Sequence, residues 1–237
     1  MFLMRFAFVA AASLVLSSCI LSPGKFVSTL HIAKDRGFTF TYVGEVILLD
    51  PSAAMQQGMQ EGMAAAAAGE AGDEEGNSTA PAAPAAPAAE TAQQLAEGKA
   101  IAEALSKEVG YRKVEYLGKN RFRVDYAMTG RLDRSFVYPI NLDAKSIIPW
   151  VAVEVRADRT ARVKAIAFGD PDEGMGGAAK PDGPEKERSG TFTLTTDAEL
   201  VMQNNEDGMA PGPGTRVVWK VTPTSKTVPT AVVRFAS

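Results

Sequence analysis

Two stretches of this chain hold no residue able to build a core. From Ser52 to Thr91, and again from Asp170 to Ser189, there is no Val, Ile, Leu or aromatic residue. Such segments bury too little apolar surface to offset the entropy of ordering them, so both are expected to be flexible: an insert at 52–91 and a loop at 170–189. The first contains Ala64–Ala68, the acidic Asp73-Glu74-Glu75 and a Pro81-Ala-Ala-Pro84-Ala-Ala-Pro87 repeat, which favours an extended polyproline II spacer. Met55, Met59 and Met63 lie at helical spacing, a possible partner-docking face more simply read as a frayed Ala/Met helix. Removing both segments and the N-terminal leader leaves roughly 160 residues, enough for one core.

Those residues read mainly as strands. Phe26, Leu30 and Ile32 share one parity, and after Lys34-Asp35-Arg36-Gly37 the series Phe38, Phe40, Tyr42, Val46, Leu48 continues it, the pattern of a hairpin with one buried face. One helix follows the insert: Thr91 and Gln94 form a capping-box signature, Leu95, Ala102, Leu105 and Val109 an apolar stripe, Glu103 and Lys107 an i,i+4 pair, and Gly110 a stop. Strands are expected near 114–116, 122–128, 134–140, 147–156, 161–168, 191–195, 199–203, 216–221 and 231–235. The order predicts an α+β fold, mainly antiparallel β-sheet with one packed helix, a sheet free to curl into a partial barrel. Phe26, Phe38, Phe40, Tyr42, Phe122, Tyr126, Trp150 and Trp219 are expected in its core.

The N-terminus carries an address. Met1–Arg5 is a short region with one positive charge, and Phe6–Leu16 is an uncharged apolar run too short to span a bilayer. It ends in Leu16-Ser17-Ser18-Cys19, which resembles the lipobox of bacterial lipoprotein precursors. That resemblance implies a signal peptide over 1–18, a mature single domain over 19–237, and diacylglyceryl and acyl groups on Cys19. Cys19 is the only cysteine, so no intrachain disulfide can form. A plain secretory signal would leave it as a lone exported thiol, whereas several acyl chains give stable anchoring. Ile20 replaces the Asp that resembles an inner-membrane retention signal, so delivery to the outer membrane, facing the periplasm, is the expectation.

Chemistry-bearing patterns are sparse. The single histidine, His31, lies on the polar face of the hairpin beside Val27, Thr29, Thr39 and Thr41, leaving no His/Cys metal cluster and no Cys nucleophile. There is no Gly-x-Ser-x-Gly elbow and no phosphate-binding Gly-Lys-Ser/Thr loop. Asp170, Asp172 and Glu173 lack the spacing of a calcium loop. Asn204–Gly208 has the composition of an exposed turn. No catalytic residue, metal or cofactor is expected.

Charge is unevenly placed. The net charge is −3, which argues against nucleic acid, yet all nine charged residues between Gly37 and Gly98 are acidic and the rest of the mature chain is mildly basic. On the later strands one parity carries Lys113, Arg121, Arg123, Arg131, Arg156, Arg162 and Lys164 against Glu115, Asp125 and Glu154. If those strands were neighbours, Arg121, Arg123, Arg131, Arg156, Arg162 and Lys164 would form a face for anionic headgroups or glycan; the plainer reading is cross-strand ion pairing on a solvated face.

A lipidated cysteine followed at once by a Thr/Phe-rich hairpin (Phe26–Val46), with Asn205-Glu-Asp-Gly208 and Gly214-Thr-Arg-Val-Val-Trp219-Lys-Val near the C-terminus, resembles the LppM-type domain of bacterial envelope lipoproteins. The resemblance covers the two ends of the mature chain, has no counterpart for the Ala/Pro insert and transfers no site residue. It implies a lipid-anchored, β-rich, non-catalytic domain that handles envelope lipids or glycolipids. The expected function is therefore binding of an envelope lipid or anionic envelope component. The alternatives are a lipoprotein that recruits envelope proteins for assembly and a hydrolase of envelope polymers using two carboxylates.

Overall fold

The alternation of Phe26–Leu48 becomes the longest pairing in the molecule. The computed structural model describes residues 20–49, 90–139, 149–169, 184–212 and 214–236. Cys19, the leader, the methionine stripe, most of the 52–91 insert and most of the 170–189 loop lie outside the described residues. Strands β1 (Ile20–Ile32) and β2 (Gly37–Leu49) pair antiparallel along their whole length, with an irregularity between Pro23 and Phe26. There β1 crowds β2 at Gly44, where a Cβ would lie 2.5 Å from the Lys25 carbonyl oxygen, so only glycine fits. Alternation alone predicts a strand from Phe26. It extends to Ile20 because the irregularity absorbs Pro23 and Gly24 without ending the pairing.

Beyond the hairpin come β3 (Tyr111–Gly118), β4 (Arg121–Arg131), β5 (Phe136–Tyr138), β6 (Val151–Val155), β7 (Thr160–Lys164), β8 (Ser189–Thr196), β9 (Glu199–Gln203), β10 (Thr215–Val221) and β11 (Thr230–Arg234). They divide into two open sheets. The first has the order β10-β8-β1-β2-β4-β3 and the second β5-β6-β7-β11-β9. Neither closes into a barrel, and one pair, β1 with β8, is parallel. The fold is thus α+β with two sheets, not a single antiparallel sheet curling on itself.

The inner faces of the sheets meet in an aromatic core. Tyr42 of the first sheet packs on Tyr138 and Trp150 at 5.4 Å between ring centres, Phe40 on Tyr138 at 4.9 Å, and Phe26 stacks on Phe168 at 4.2 Å. All eight aromatics expected in the core are buried. Each such ring removes a large apolar area from water, and tilted or offset pairs add to it.

Helix α1 (Ala92–Leu105) packs chiefly on β3 and begins with the expected capping box: Thr91 Oγ1 accepts from Gln94 N, and Gln94 Oε1 accepts from Thr91 N. Lys107 and Glu103 pair at 2.8 Å. The expected apolar stripe is buried only in part: Ala102 is buried and Leu105 half-buried, whereas Leu95 is exposed and Val109 is 79% exposed beyond the helix; Gly98 is the other buried helical position. The helix lies so close to Tyr116 that its contact side must be small.

Candidate functional site

An apolar pocket of about 50 Å³ lies beside the first residues of β1. Three elements build it. Leu21, Val46 and Leu48 come from the open end of the hairpin, Phe122 and Val124 from the inner face of β4, and Ile101 and Leu105 from α1. Tyr138 and Trp150 close the floor from the second sheet. The Trp150 indole N–H donates to the Leu21 carbonyl at 3.1 Å, which fixes the start of β1 against this floor.

The pocket exists because the helix approaches unevenly. Gly98 lets the helix touch the Tyr116 ring, since a Cβ there would lie 2.2 Å from Cζ. One turn later, Ile101 and Leu105 stand over Phe122 and Val124 with space left between them. A water there would find few polar partners, because the lining is almost wholly aliphatic and aromatic. Its tyrosines are neutral: burial pushes the Tyr138 hydroxyl well above its ordinary pKa, and Tyr111 is pushed up to about 12 by burial, then by Tyr126 and Glu108.

A second, open cleft of about 230 Å³ lies between the 204–207 turn, Trp219 and the 225–229 segment. Its amides are engaged in scaffolding. Asn204 Oδ1 accepts from Trp219 Nε1 and Thr230 N, its Nδ2 donates to Val228 O, and Asn205 Nδ2 donates to Val218 O. The Asn204–Gly208 segment, read from sequence as an exposed turn, therefore ties β9 to β10 and β11.

The six cations singled out in the sequence do not share one sheet face. Arg121, Arg123 and Arg131 lie on β4 in the first sheet; Arg162 and Lys164 lie on β7, and Arg156 follows β6, in the second. On β4 and β7 the cations alternate with the buried Phe122, Val124, Ala161 and Val163, which puts them on the outer faces of their sheets. Parity carries no information about which sheet a strand joins, so a stripe across neighbouring strands does not form. Several of these cations have acidic neighbours. Arg121 bonds Glu187 and lies 3.5 Å from Glu45, and Glu187 holds the Arg121 guanidinium above its ordinary pKa; Arg131 pairs with Asp133 at 3.1 Å; Arg162 stands opposite Glu154.

Among the described residues, no group of three or more His, Cys, Asp or Glu is placed to hold a metal ion. Glu103 and Asp158 are both held below the ordinary carboxylate range, by Lys107 and by the Thr160 hydroxyl respectively. That direction suits a charged surface group, not a proton donor. No described helix is long and apolar enough to cross a membrane.

No family model matches the chain, and no curated protein matches it. Among solved structures, the folded domain of Mycobacterium tuberculosis LppM aligns over 91% of this chain and 92% of that one, at 10% identity and a TM-score of 0.38.

Proposed function

We propose that the chain is a non-catalytic lipoprotein of the bacterial cell envelope, anchored through acylated Cys19, whose domain binds a hydrocarbon portion of an envelope lipid. The observation that carries this reading is the apolar pocket with Leu21 in its wall, two residues after Cys19. With β1 beginning at Ile20, no spacer separates the anchor from the fold. The pocket then stands at the membrane-facing end of the domain, where an acyl chain needs only a short excursion from the bilayer.

The pocket in its closed form is too small for a full chain. Entry requires the C-terminal half of α1 to move off Phe122 and Val124. The helix is suited to that, since its buried positions are glycine and alanine and its larger apolar residues, Leu95 and Ile101, are partly exposed. Each methylene transferred from water into such a site contributes about 0.8 kcal/mol. Outer-membrane placement, facing the periplasm, rests on Ile20 after the cysteine.

Mass spectrometry of lipids co-purified with the acylated protein tests the proposal. Wild-type protein is expected to retain a stoichiometric phospholipid or glycolipid, and the Leu105→Arg variant to lose it while Cys19 stays acylated. Equal lipid content in both would sink the assignment to this pocket.

A further inference from the structure

The open cleft beside Trp219 lies where the first sheet ends without a further strand. β10 is the edge strand next to β8, and an antiparallel ladder turns the N–H and C=O of successive residues to opposite sides. Arg216 and Val218 turn theirs away from β8: the Arg216 carbonyl accepts from Ala210 N at 2.8 Å, and the Val218 carbonyl from Asn205 Nδ2 at 2.9 Å. The 204–210 segment thus covers this part of the edge. Lys220 has the same parity, so its N–H and C=O also face outward, at the next step along the strand, where no described residue bonds them. Lys220 lines the cleft, and its free backbone groups open to it.

Opposite charges line the same cleft without pairing. Glu206 and Asp207 come from the 204–207 turn, Lys226 from the 225–229 segment, and Lys220 from β10 itself. All four are exposed, and among the described residues none makes an ion pair or a side-chain hydrogen bond. Both walls are fastened separately. In the acidic turn, Gly208 N donates to Asn205 O at 3.0 Å and Asp207 N to Asn205 Oδ1 at 3.3 Å. On the other side the buried Arg188 donates to Ala167 O at 3.1 Å and to Ser225 O at 3.4 Å. Held apart in this way, the two signs of charge stay available to a ligand that carries both.

Such a ligand needs an ammonium for the carboxylates, an anionic group for the lysines and an amide for the strand edge. A short peptide with free ends supplies all three. Main-chain pairing to a sheet edge and capture of chain termini are both established ways of holding peptides. The cleft, about 230 Å³, is smaller than the ~300–1,000 Å³ of drug-sized sites, which limits the occupant to a few small residues.

We infer that this cleft binds a short free peptide of small residues, its backbone paired with Lys220, its ammonium at Glu206 and Asp207, and its carboxylate at Lys226 and Lys220. The inference is independent of the hydrocarbon pocket and shares no residue with it. It is tested by isothermal titration of the full acylated chain in detergent with trialanine, N-acetyl-trialanine and trialanine amide. Trialanine is expected to bind, and capping either end to weaken it roughly tenfold or more, the scale of one lost charge-assisted hydrogen bond. Glu206→Gln with Asp207→Asn should remove the effect of acetylation and keep that of amidation. Lys220→Gln with Lys226→Gln should do the reverse. Circular dichroism checks that both variants fold, and the capped peptides on the wild-type protein test the site without any substitution. No binding of trialanine up to about 10 mM, capped peptides that bind as well as the free one, or variants that keep both effects would overturn the proposal. So would tighter binding of phosphoethanolamine than of trialanine, which would make the cleft a headgroup site.

Discussion

The indole N–H of Trp150 reaches across from the second sheet to the carbonyl of Leu21, 3.1 Å away. It joins the first turnless stretch of the domain to the floor of the apolar pocket. Trp150→Phe removes the donor and leaves the Leu21 carbonyl short of a partner. A loss of about 1–3 kcal/mol is expected, read as a lower denaturation midpoint, with faster amide exchange at the start of β1. An unchanged midpoint and unchanged exchange would show that this bond does not hold the strand.

Helix α1 should be intolerant of even a methyl group at Gly98. Alanine is the better helix former by about 1 kcal/mol, so an exposed Gly→Ala change would stabilise. Here the added Cβ falls 2.2 Å from the Tyr116 ring, and relieving that overlap must push the helix outward. The net effect of Gly98→Ala is expected to be destabilising by roughly 1–3 kcal/mol, measured by chemical denaturation. A stabilised variant would mean that the helix floats freely over β3.

The helix start is testable separately. Thr91→Ala removes the side-chain oxygen that accepts from Gln94 N and should cost about 1 kcal/mol. Hydrogen exchange in residues 92–95 should accelerate while the β1–β2 hairpin keeps its protection. Uniform acceleration over the whole domain would indicate that the helix and the sheets unfold together.

Alkaline pH should destabilise the domain through its buried phenols. Tyr111 has its pKa raised to about 12, chiefly by burial, from an ordinary value near 10. A raised folded-state pKa favours the protonated, neutral form. Its stabilisation is therefore complete below about pH 10 and is lost as pH rises towards 12, a change on the order of 2 kcal/mol. Tyr111→Phe should flatten the fall in denaturation midpoint between those values. Identical profiles for the two proteins would place Tyr111 in water.

Much of this architecture was legible in the sequence, and the exceptions have physical causes. Alternation in Phe38, Phe40 and Tyr42 announced a strand with one buried face, and Thr91 with Gln94 announced a helix start. Both signals are local, set by chain geometry within a few residues. Which strand lies beside which is not local. The parallel pairing of β1 with β8 joins residues more than 160 positions apart, and the separation of Arg123 from Arg162 into different sheets follows from that same long-range order. Of the apolar helix stripe, Ala102 and Leu105 face the fold whereas Leu95 and Val109 do not, because the helix is seated on the Tyr116 ring, against which position 98 has no room for a side chain. The pocket was invisible for a related reason: Leu21, Ile101 and Trp150 meet only in three dimensions.

The central claim, a hydrocarbon site beside the anchor, is tested most directly by fluorescence. The chain has two tryptophans: Trp150 in the pocket floor, and Trp219 against Phe192 and Asn204 in the other half of the first sheet. In the acylated Trp219→Phe protein, Trp150 is the sole indole; in Trp150→Phe, Trp219 is. Reconstituted into vesicles of phospholipid brominated deep in the acyl chains, the first protein should be strongly quenched and the second little. Weak or equal quenching of the two would contradict a lipid chain entering the pocket.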